Sequence, residues 1–163
     1  MTFAARTDLL ARSNARRLFQ LAVPADMRMP ADDAALRQAI EGGDLSGYDA
    51  DTQAALAAAL VAIDGALADA DALILSYGIP ATVQTTLLSR IGATIAYWFL
   101  QGAERMTKEV QSAYDTAVAM LRAHARGEIA LVPVVPDEAA VDDVAFIESS
   151  PSRYGTGLPT EDW

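Results

Sequence analysis

The chain has no cysteine, a single histidine and few aromatic residues. Without cysteine it has no disulfide framework, no thiolate ligand for zinc and no thiol nucleophile. Basic residues are scarce too. Twelve Lys and Arg face 22 Asp and Glu, leaving a formal charge of −10. A DNA- or RNA-binding face needs a basic stripe, and this balance argues against one. An acidic surface can still lie beside DNA without holding it. No segment offers about 18 apolar residues free of charge, so no membrane span is expected. The opening MTFAARTDLLARSNARRLF lacks an uninterrupted apolar run after its basic residues, so no signal peptide is expected.

What the chain does have is alanine. Hydrophobic residues make up 52% of it, enough to build a core. Alanine dominates that fraction and favours closely packed helices over sheets.

The pattern along the chain predicts a series of helices. Thr7 is positioned to cap a short helix beginning with Asp8 and Leu9. Ser13 or Asn14 can cap a second, from Ala15 to Leu21, which Pro24 closes. Residues 23–50 form an irregular insertion, with a short helix from Asp32 or Asp33 to Ile40. The longest helix opens at Asp49 to Asp51. Its apolar seam is Leu56, Leu60, Ile63, Leu67, Ala70 and Ile74, in steps of four and three. Asp64, Asp69 and Asp71 fall largely off that seam. Gly78 fits a left-handed cap, and Pro80 blocks continuation.

A further helix is expected from about Val83 to Leu100. Leu87, Ile91, Ile95 and Trp98 form its stripe, widened by Leu88, Ala96 and Phe99, so it should be the most buried. Gly92 on it would allow a close approach by another element. Thr107 should cap the last helix, on which Val110, Tyr114, Ala117, Leu121 and His124 repeat the same spacing. Gly127 ends it.

The expected fold is therefore all-α: a small bundle of three main helices plus short N-terminal ones. Residues 1–127 make the helical domain, and 128–163 a long extended C-terminal arm rich in Val, Asp, Pro, Gly and Ser. Residues 129–132 and 144–147 are possible short strands within that arm.

Little in the chain suggests chemistry. His124 changes charge near neutral pH, yet no nucleophile pairs with it, and a helix-end residue at the core edge explains it better. Asp49, Asp51, Asp64, Asp69 and Asp71 lack the spacing of a calcium loop and fit helix capping and a solvated face. Asp137, Glu138, Asp142 and Asp143 fit a solvating tail segment. The RYGTGLP stretch has neither the strand-to-helix setting nor the lysine of a phosphate loop. Tyr97, Trp98 and Phe99 point in different directions on a helix, which favours core packing with one residue left for an interface. Arg90 sits among apolar residues. Either it snorkels to solvent or it meets an acidic group on a neighbouring subunit. No catalytic, cofactor-binding or metal-binding residue is assigned, and no enzyme activity is expected.

The segment Ala66-Leu67-Ala68-Asp69-Ala70-Asp71, followed by Ser76-Tyr77, resembles a helix of the small neck protein of Mu-like phages and prophages. That family is one of head–tail connectors, also called adaptor or head-completion proteins. The resemblance extends in order through Asp8-Leu9-Leu10-Ala11-Arg12 and Leu18-Phe19-Gln20-Leu21. It continues through Leu87-Leu88-Ser89-Arg90-Ile91, Ile95-Ala96-Tyr97, and Tyr114, Ala117, Leu121 and the run from Gly127 to Leu131. It covers most of residues 7 to 131. The chain departs from the family in the longer stretch 23–50. In the tail only Phe146, Ser149, Ser150, Arg153 and Tyr154 are loosely similar.

The resemblance implies a structural role in the virion neck, assembled in the host cytoplasm. The chain would form a ring, typically dodecameric in such families, below the portal protein. A tail-side neck or stopper protein would dock on it, and DNA would pass through without specific binding. The alternative is an acidic helical binding module such as a chaperone or inhibitor. In the connector reading Arg90, Val144, Phe146, Arg153, Tyr154 and Trp163 are the expected partner contacts. The aromatic ones are favoured because such side chains dominate interface energetics.

Overall fold

The computed structural model describes residues 2–27, 34–102 and 105–133. They form six helices: α1 Arg6–Arg12, α2 Ala15–Ala22, α3 Ala34–Ile40, α4 Ala50–Ser76, α5 Thr86–Gln101 and α6 Lys108–Ala125. The fold is all-α, as the pattern predicts.

Most helix ends follow the local chemistry. The Asn14 side chain accepts the Arg17 N–H at 2.7 Å and Asp49 accepts the Thr52 N–H at 2.7 Å. Thr85 and Thr107 cap α5 and α6 in the same way. Gly78 at φ +83° and Gly127 at φ +74° follow the ends of α4 and α6 in the left-handed region that favours glycine. Two starts differ from expectation. Helix α1 begins at Arg6, ahead of Thr7, because the Asp8 carboxylate reaches back to the Ala5 N–H at 2.7 Å. Helix α5 begins after Thr85 rather than near Val83, because Thr85 is the residue that can accept the Leu88 N–H, at 3.1 Å.

Within the 23–50 insertion, residues 41–49 carry no helix but are tied in place. The Gln38 side chain donates to the Asp44 carbonyl and accepts from the Tyr48 hydroxyl at 3.2 Å. Gln53 donates to the Tyr48 carbonyl at 2.8 Å. This loop has its own polar scaffold.

The core lies between α4 and α5, with α6 on α5 and the short helices packed around them. Leu56, Ile63, Ile74, Leu88, Ile95 and Leu121 are fully buried. Gly92 allows the expected close approach: a Cβ there would lie 3.2 Å from the Ala4 Cβ and 3.5 Å from the Ile74 Cδ1. Turning Gly92 inward rotates α5. It carries Leu88 into the core and Leu87 out, so Leu87 is 43% exposed rather than part of the buried stripe. Phe99 is likewise at the surface, and Leu60 is only partly buried.

Residues 129–132 form no strand. Leu131 is buried instead, and His124 holds this turn, its Nδ1 3.4 Å from the Leu131 amide nitrogen and 3.3 Å from the Ile129 carbonyl oxygen. A segment expected to open the arm thus folds back onto the helical body, because Leu131 finds apolar cover there. Residues 134–163, including the 144–147 strand expectation, lie outside the described residues.

Two aspartates fasten the N-terminus to α4. Asp64 pairs with Arg6 through two bonds at 2.7 and 2.5 Å, and Asp71 accepts the Phe3 N–H at 2.9 Å. Their protonation is shifted in opposite directions. The hydrogen bond from Arg6 holds Asp64 below its ordinary value, whereas burial holds Asp71 above its own. A raised carboxyl favours the folded state while protonated, and that contribution is lost as pH rises through the folded pKa. Asp71→Asn keeps an oxygen for Phe3 and removes the half-buried charge. The stability of Asp71→Asn relative to wild type should therefore climb as pH rises from below the ordinary aspartate range to above it. Thermal melts of both proteins across that range check it, and a difference independent of pH would contradict it.

Candidate partner-binding surfaces

Among the described residues, no group of three His, Asp or Glu is placed to hold a metal ion. The aspartates act on the protein itself. Asp49 caps α4, Asp64 and Asp71 anchor the N-terminus, and Asp51 and Asp69 stay exposed. Sequence spacing indicated capping and a solvated face. It could not indicate the anchoring, because Arg6 and Phe3 lie 58 and 68 residues from their partners.

The aromatic run divides as its helical directions suggest. Trp98 stacks on Tyr114 of α6 at 4.2 Å, and its Nε1 donates to the Gln111 Oε1 at 3.0 Å. Tyr97 accepts from the Ser13 hydroxyl at 3.4 Å, and Phe99 faces outward with its ring edge to Trp98. Trp98 therefore joins α5 to α6.

Of the six expected partner contacts, Arg90 is the one among the described residues. It is exposed on α5. Val144, Phe146, Arg153, Tyr154 and Trp163 lie outside them. Arg90 lines a shallow cleft between α1 and α5 with Asp8, Ala11, Arg12, Ser89 and Ala93. Arg12 donates across this cleft to the Thr94 hydroxyl, which donates to the Arg90 carbonyl at 2.6 Å. Burial, and then the positive charge of Arg90, hold the Arg12 guanidinium below its ordinary pKa. The salt bridges among the described residues are Arg6–Asp64 and Arg126–Glu128, so neither cleft arginine has such a partner there. Asp8 lines the same cleft, but its carboxylate is directed at the Ala5 N–H. Two cations therefore adjoin on a strongly acidic chain. Arg12 was not singled out by sequence. Its cue would have been the contact with Thr94, which is 82 residues away.

A second surface lies on α4, on the side away from α5. Ala54, Val61, Gly65, Ala68, Ala72 and Leu75 are all exposed and recur in steps of three, four or seven. Val61 is 73% exposed and Leu75 46%. The buried seam occupies the opposite side, so this helix is apolar on two faces. Such a helix is ordinarily covered on both. It carries Asp51, Asp64, Asp69 and Asp71 and no Lys or Arg. At 3.6 residues per turn, Asp51 and Asp69 border the outer strip on one side and Asp64 on the other.

No helix among the described residues is long and apolar enough to cross a membrane. None of the curated proteins compared with the chain matches it. Among protein families, residues 3–146 match the one described as Bacteriophage Mu, Gp36. That span takes in every helix of the bundle and both surfaces. The chain belongs to the bacteriophage Mu Gp36 family and is a phage structural or morphogenesis protein.

Proposed function

We propose that the chain is a head–tail adaptor, a head-completion protein that forms a ring below the portal and connects the DNA-filled head to the tail. The observation that carries this reading is the family match over most of a chain whose described helices offer interaction surfaces. Cationic and apolar surfaces on different sides of one small domain suit heterologous contacts, and such contacts close into rings when the rotation allows. The partners proposed are other copies of the chain, the portal protein and a tail-side neck or stopper protein, with no enzyme activity.

Loss of function tests the role. A phage lacking this chain should accumulate DNA-filled heads and separate tails, and adding purified protein should restore joined particles. Normal yields of tailed particles without it would overturn the proposal. An acidic chaperone or inhibitor would act earlier, leaving heads unformed or empty.

DNA crossing such a ring should meet an acidic or neutral wall, because a basic lumen would trap a polyanion. The free protein is therefore expected to show no salt-sensitive binding to duplex DNA. Electrophoretic mobility shifts at low and high salt check this, and tight binding at low salt would contradict it.

A further inference from the structure

We propose that the outer strip of α4 on one copy docks against the α1–α5 arginine face of the next copy. This deepens the ring reading above and rests on it. The two faces are complementary in both respects that matter for docking. The strip is apolar, made of small residues around Val61 and Leu75, and is bordered by Asp51 and Asp69 on one side and by the Arg6–Asp64 ion pair on the other. The opposing face presents Leu87, 43% exposed, one helical turn from Arg90, with Arg12 across the cleft. A leucine one turn from the Arg90 guanidinium fits an alanine-rich ridge edged on one side by the carboxylates of Asp51 and Asp69. The small residues let another helix approach closely, and the charges fix register and discourage wrong pairings.

The pairing cannot form within one chain. Helix α5 packs on the opposite side of α4, where Gly92 faces Ile74, so the strip points away from the arginines of its own chain. A second copy supplies the missing face. Because the two patches differ, the contact is head-to-tail and leaves a free patch at each end of a pair. Helix α4 spans 27 residues, or roughly 40 Å, which gives the contact a long track.

Two full-length variants test this. One carries Leu87→Asp with Arg90→Asp, and the other Val61→Arg with Ala68→Arg. All four positions are exposed, and Arg12 is left alone because it also bonds Thr94. Circular dichroism melts matching wild type show that each variant folds. Sedimentation across concentration then reads association. Wild type should associate. Each variant alone should need about tenfold or more higher concentration, because like charges now meet at the interface. Mixing the variants one to one should restore association into mixed pairs, since each still offers the one intact face that the other needs.

Variants that associate as wild type does would overturn this interface while leaving the ring reading standing. Normal association of the Leu87→Asp, Arg90→Asp variant with loss in the other would show a two-fold α4–α4 contact instead, and also overturns it. A wild-type chain that stays monomeric at every concentration overturns self-docking itself.

Discussion

Ile63→Ala and Ile95→Ala should each lower the unfolding free energy by about 2–5 kcal/mol, the range for emptying a well-packed aliphatic site. Both side chains are fully buried, one on each helix of the central pair. Ile63 lies mid-way along α4, far from ends that could fray. Ile95 lies one turn after Gly92, where the backbone already approaches Ala4 and Ile74 closely. Neighbours held that tightly relax little into a cavity, so Ile95→Ala should sit toward the upper end. Val61→Ala on the same α4 is the control. At 73% exposure it should change the stability of the free chain by no more than about 0.5 kcal/mol. Denaturant melts of the three variants decide it. Equal stability of Ile63→Ala and wild type would mean that the core lies elsewhere.

Trp98→Ala should loosen α6 more than any other part. Helix α6 buries only Ala117, Val118 and Leu121, a narrow set for its length. The Trp98 ring adds the stack on Tyr114 and the bond to Gln111, so it supplies much of the grip between α5 and α6. Removing it should cost about 3 kcal/mol, at the low end for a tryptophan because the ring is half-buried. Amide exchange should accelerate first in α6 and then in the turn that His124 and Leu131 hold, while α4 stays protected. Uniform acceleration across all helices would show that α6 is not a separable layer.

Helix positions were largely legible because their signals are local. Asn14, Asp49, Thr107, Gly78 and Gly127 each act within four residues of themselves. The rotation of α5 was less legible. Ile91 and Ile95 are buried as their spacing predicts, but Leu87 and Leu88 are equally apolar in sequence. The inward-facing Gly92, close to Ala4, goes with Leu88 in the core and Leu87 outside. Leu131 reads as part of the arm because its flanking residues have an extended pattern. Its burial depends on His124 and the α6 end, whose contact comes from folding back across Gly127. The candidate surfaces were half legible. Arg90 stood out as a charge in an apolar helix, whereas Arg12 becomes part of the same cleft only once α1 crosses α5. The outer strip of α4 is hard to see in the sequence because its alanines and glycine look like filler beside the stronger leucine and isoleucine seam.

A reconstruction of the neck by electron cryomicroscopy, in the phage particle that carries this chain, tests the proposed role most directly. The expected result is a closed ring of copies directly below the portal, each presenting α4 to its neighbour, with tail-side protein on the opposite rim and DNA unattached in the channel. Finding the chain absent from the neck, or bound elsewhere on the particle as single copies, would contradict it.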